Sequence, residues 1–149
     1  MKSISKLIKS SLLCLIMLRA AEVHGEVLSP VWKPAKKVGL TEAIQEISKR
    51  AKIDPSFVKQ PTILAYKTAL FLSRRSFDEP TNGRIQSIKA DFGPGEEQWE
   101  KATVSVEFMG YADDSTLGER YTFTMFVDSS GNWQISEAKR EAYGRGDHQ

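Results

Sequence analysis

The chain has 149 residues, the length of one ordinary domain. Apolar residues make up 40% and charged residues 27%, which excludes a disordered chain, a collagen-like repeat and a polytopic membrane protein. The formal charge is +2, from 21 basic and 19 acidic residues, with one Cys and two His.

The N-terminus has the layout of a secretory signal. Lys2, Lys6 and Lys9 precede the apolar run Leu12 to Leu18, and Arg19 ends it. A bilayer span needs about 20 apolar residues, so this run predicts export rather than an anchor. Cleavage is expected after Val23-His24-Gly25, making residues 1–25 the signal and the product periplasmic or secreted. Cys14 reads as an apolar member of the run, because Leu13 before it is not the small residue that lipid attachment requires. Removing the signal's four basic residues and one acidic residue leaves 17 basic and 18 acidic, a net charge of −1. The expected mature domain then has no Cys, and His148 is its only His. It lacks the basic excess that neutralises phosphates, so nucleic acid is not an expected partner.

Residues 26–38 read as an extended leader, since Pro30 and Pro34 disfavour helix. Within it, Trp32 is either an anchor on the domain or a contact for a partner. A single domain is expected over 39–143, with 144–149 as a polar tail. Thr41 predicts an N-cap, and Leu40, Ala43, Ile44, Ile47 and Ala51 recur at helical spacing, with Glu46 and Arg50 four apart on the polar side. Asp54-Pro55 predicts a capped new start. Pro61 opens a buried helix from Thr62 to Arg75, with a helix to Lys67 followed by a short strand as the alternative.

Beyond Asn82-Gly83 the period changes to two. Ile88, Ala90 and Phe92 alternate with polar residues, as do Ala102, Val104, Val106 and Phe108. Gly110 to Gly118 predicts a loop. Tyr121, Phe123, Met125 and Val127 mark a third strand, with Phe126 as an apolar residue on its polar side. Asp128 to Asn132 predicts a hairpin turn, and Trp133 and Ile135 open a fourth strand running to Ala142. Lys139, Arg140 and Arg145 read as charges that protect a solvated sheet edge. The expected fold is α+β: N-terminal helices packed on one face of a four-stranded antiparallel meander.

The hairpin Asp128-Ser-Ser-Gly131-Asn132-Trp133-Gln134-Ile135 resembles the last hairpin of nuclear transport factor two-like (cystatin-like superfamily) domains. That resemblance implies a curved sheet wrapped around helices, sometimes with an apolar pocket. Its catalytic members commonly place Asp and His in the pocket. Here His148 lies in the tail, so no catalytic residue carries over.

The remaining constellations reduce in the same way. Tyr111-Ala112-Asp113-Asp114 matches the metal-binding tetrapeptide of reverse-transcriptase palms, but a palm needs far more chain and a basic template channel. Asp113, Asp114 and Glu119 match no EF-hand spacing. The acids around Gly93-Pro94-Gly95 and Trp99 read as an exposed loop, and Arg145-Gly146-Asp147 as a chance tripeptide. Without Cys or a positioned His, nucleophilic triads and zinc sites have no residues, and no cofactor is expected.

Three readings follow. The first is a non-catalytic binding protein for an envelope or extracellular protein, with Trp32, Trp99, Tyr111, Asp113 and Asp114 as contact residues. The second is a carrier of a small apolar ligand, lined by Tyr66, Phe71, Phe108, Tyr121, Phe123 and Trp133. The third, an enzyme using carboxylates and tyrosine alone, requires two acids converging in one pocket.

Overall fold

A computed structural model describes residues 29–74, 84–93, 100–111 and 116–145. The signal segment, Trp99, Asp113, Asp114 and the end of the tail lie outside the described residues. In chain order the elements are β1 (Val31–Trp32), β2 (Lys36–Lys37), α1 (Thr41–Ile53), a 3₁₀ turn (Pro55–Val58), α2 (Pro61–Arg74), β3 (Arg84–Asp91), β4 (Lys101–Met109), β5 (Thr116–Val127) and β6 (Trp133–Gly144). No helix among the described residues is long and apolar enough to cross a membrane.

The fold is α+β, with one correction to the expected sheet. Among the described residues six strands pair rather than four, in the order β1-β6-β5-β4-β3 with β2 also on β6. The leader is extended, as expected, but it docks: Val31 pairs with Gly144, Lys36 with Arg140 and Lys37 with Lys139. Pro34 between β1 and β2 has no N–H to donate, so the leader forms two short strands rather than one. β6 is therefore covered on its outer side, and Lys139 and Arg140 do not guard a bare edge.

Ala43 and Ile47 put one stripe of α1 into the core, whereas Ile44, expected beside them, is 44% exposed. Leu40 is the N-cap in place of Thr41, which already belongs to the first turn, and Leu40 supplies no side-chain acceptor. Glu46 pairs with Lys49 one turn on. Asp54 caps the 3₁₀ turn as expected, its carboxylate accepting from Ser56 N at 3.0 Å. α2 continues as helix past Lys67, because Leu64, Ala65, Thr68 and Ala69 form an uninterrupted buried stripe. The buried Thr68 hydroxyl donates to the Leu64 carbonyl at 2.7 Å, so no polar atom is stranded there.

The alternating rows of β4 and β5 are as expected. Val104, Val106, Phe108, Tyr121, Phe123 and Met125 face the helices and are almost fully buried. β3 departs from its pattern: Ile85 and Ile88 remain exposed, because this strand lies at the end of the strand order. The sheet curls strongly. Phe92, just past β3, meets Trp133 of β6 with ring centroids 6.0 Å apart. Three flat strand spacings would separate them by about 14 Å. The β5–β6 turn is held by Asp128, whose Oδ1 accepts from Ser130 N and Asn132 N, and Gly131 supplies the required φ of 72°. The Asn132 backbone bond and then the Gln134 amide hold the Asp128 carboxyl below its usual range.

Candidate functional site: a charged cleft under the leader

A cleft of about 550 Å³ opens on the inner face of the sheet, between the leader and α2. The leader forms one wall, with Lys33, Pro34, Lys36 and Lys37, leading to Gly39 before α1. Leu72 and Ser73, near the end of α2, form the opposite wall. The floor is Glu119 and Tyr121 of β5 with Arg140 and Ala142 of β6.

The floor follows from strand parity. Glu119 is two residues before Tyr121, so it shares the inward face of Tyr121, Phe123 and Met125. Arg140 lies between Ala138 and Ala142 in the inward row of β6, and Tyr121 is its register partner. Gly118 allows β5 to approach β4 closely at the bulge just before Glu119. A Cβ there would meet the Phe108 carbonyl at 2.5 Å. Where the inward rows pass beyond the helices, apolar residues give way to a charged network.

Glu119 is only 7% exposed, and both its oxygens are occupied. Arg140 Nη2 donates to Oε1. The hydroxyls of Tyr111 and Tyr121 each donate to Oε2 at 3.1 Å. Among the described residues no buried side-chain polar atom lacks a hydrogen-bond partner. Burial, and then the Glu119 carboxylate, push the Tyr121 phenol far above its usual range, so it remains a donor. Burial pulls the Arg140 guanidinium down, but the charge and hydrogen bond of Glu119 together with Tyr121 and Tyr111 outweigh this and hold it above its usual value. The cleft thus presents a fixed arginine beside the neutral Tyr121 phenol. It presents one carboxylate, and acid–base chemistry between two carboxylates has no second member among its lining residues.

A second charged network occupies the other face of the sheet. Arg120 Nε and Nη2 both donate to Glu107, at 3.1 and 2.9 Å, and Nη1 lies 3.5 Å from Glu141. The Trp32 ring lies over this guanidinium at 4.0 Å and packs tilted against Tyr143, with centroids 5.0 Å apart.

The expected contact residues therefore separate. Trp32 is half-buried on the outer face, while Tyr111 belongs to the cleft's hydrogen-bond network. Of the six residues expected to line an apolar pocket, Tyr121 alone lines this cleft. Phe108 and Phe123 are wholly buried, Phe71 and Trp133 nearly so, and Tyr66 packs against Phe108 with centroids 6.4 Å apart. They belong to the packed core, where Tyr66, Phe108, Tyr121 and Phe123 meet ring to ring in succession. Glu119 and Arg140, the centre of the cleft, were not expected as a pair. For Glu119 the signal was its parity with Tyr121, whereas Arg140 turns inward only through the bulge between Ile135 and Glu137, which alternation from Trp133 does not show.

No group of three or more His, Cys, Asp or Glu among the described residues could hold a metal ion. No family model, no curated protein and no solved structure matches this chain.

Proposed function

We propose that this chain is an exported, non-catalytic binding protein that recognises a protein partner, and that the cleft under the leader is where it does so. The observation that carries the reading is the pre-formed network on the cleft floor. Glu119 is satisfied by Tyr111, Tyr121 and Arg140 in the free molecule, and this holds Arg140 in place with half of its side chain still exposed. Such pre-organisation lowers the ordering cost of binding. Export rests on the signal-like N-terminus. The carrier of a small apolar ligand has less support, because its expected lining residues are packed against one another.

Site-specific photo-crosslinking in the native envelope tests the reading. A photoreactive residue at Ala35, exposed on the leader between β1 and β2, should join the chain to a discrete protein. The same residue at Lys101, exposed at the far end of β4, should not. Equal crosslinking from both positions, or none from Ala35, would overturn the assignment of the cleft.

A further inference from the structure

The cleft places positive charges where sheet packing alone would disfavour them. Lys36 lies directly opposite Arg140 in the β2–β6 register, and Lys37 directly opposite Lys139. Like charges at such positions are destabilising. Three of the four are compensated: Glu119 pairs with Arg140, and Glu137 lies 3.5 Å from Lys37 and 3.9 Å from Lys139. Among the described residues no carboxylate pairs with Lys36, which lines the cleft beside Arg140. Lys37, opposite Lys139, turns to the other face of the sheet toward Glu137, which leaves Lys33, Lys36 and Arg140 against one carboxylate in the lining. This excess is local, because the expected mature chain is slightly acidic.

We infer that the cleft takes an acidic peptide segment of the partner protein, its carboxylates received by Lys36 and Arg140. The inference rests on the reading of the chain as a protein-binding module. Arg140 is suited to the role, since Glu119 fixes its guanidinium while its outer N–H groups remain available for a forked carboxylate contact. The spacing favours a chain over a small ion. Lys33 and Lys36 are three residues apart on an extended leader, about 10 Å, which one small anion does not span. A nucleic acid strand is disfavoured, because the one aromatic residue lining the cleft, Tyr121, is 2% exposed and offers no stacking surface.

Fluorescence anisotropy on the purified protein with labelled hexaglutamate tests this. Hexaglutamate should bind, weakening as salt is raised, while hexaglutamine and hexalysine should not. Lys36→Glu should cost about tenfold or more in affinity, because it turns attraction into repulsion at the contact. Lys101→Glu changes the net charge equally on the far strand and should leave affinity unchanged. Circular dichroism of both variants checks folding, and Lys36→Met, which removes the like-charge pair, should also weaken binding. The inference is overturned if hexaglutamate fails to bind or if Lys101→Glu weakens it as much as Lys36→Glu. Tighter binding of a six-nucleotide single strand, or displacement by inorganic phosphate at matched charge, would equally overturn it. Crosslinking from Ala35 that persists while hexaglutamate fails removes this inference and leaves the protein-binding reading standing. Loss of that crosslinking removes both.

Discussion

Glu119 and Arg120 are neighbours in β5 and point to opposite faces of one sheet, so the chain contains two arginine–glutamate networks a single residue apart. On the outer face Arg120 bridges Glu107 and Glu141, its register neighbours, under the Trp32 ring. All three charged side chains there keep 18–30% of their surface in water. On the inner face Arg140 is 48% exposed, but its partner Glu119 side chain is only 9% exposed. The difference lies in the carboxylate. The outer network is an ordinary cross-strand charge row, worth little because water competes for it. The inner one contains an acid that water barely reaches, so each of its donors matters.

Exchanging the two arginines for methionine exposes this contrast most strongly. Arg140→Met leaves Glu119 buried with only the two phenols. Breaking a fully buried pair costs 3–5 kcal/mol, and the exposure of Arg140 reduces the expected loss to about 2 kcal/mol in urea unfolding. Tyr121→Phe removes one charge-assisted hydrogen bond and should cost about 1.5 kcal/mol by the same measurement. Arg120→Met should cost about 1 kcal/mol or less, with part of the loss screened by salt. If Arg120→Met proves costlier than Arg140→Met, the distinction between the two faces fails.

Proton linkage gives the smallest effect near neutral pH. Tyr121 holds its proton in the folded state beyond the unfolded phenol's pKa of about 10. Its contribution is therefore complete below pH 10 and is lost as pH rises above it. Asp128 has the opposite sign. Its folded value is depressed, so its contribution is present above about pH 4 and is lost as pH falls through the folded value. Thermal melts of the wild type and Tyr121→Phe should run parallel from pH 6 to 9 and converge at higher pH. Divergence there would show that Tyr121 does not hold its proton as the geometry requires.

Local patterns explain why some of this was readable in advance. The period-two rows of β4 and β5, the Asp128 turn and the Asp54-Pro55 start are all local signals, and each appears where expected. Less local features shifted. Ile88 alternates as an inward residue should, but β3 lies at an end of the sheet and leaves it exposed. Leu40 took the cap expected of Thr41, and the aromatic set expected to line a pocket became the core. Lys139 and Arg140 read as an edge because nothing in their own segment reveals that the leader pairs with β6.

The sequence by itself determined the mixed α and β character, the inward rows of β4 and β5 and the capped turns, because hydrophobic period and turn chemistry act over a few residues. It also placed Glu119 in step with Tyr121, but alternation from Trp133 and Ile135 would turn Arg140 outward, and only the bulge in the β5–β6 pairing brings it inward. Tertiary structure alone decided that the leader joins the sheet and that Lys36 lands opposite Arg140. It also decided that a cleft, rather than packed core, lies over Glu119. Those are contacts between segments about 80 to 100 residues apart in the chain. Their geometry follows from strand register and the reach of the helices, quantities that no short window of residues contains.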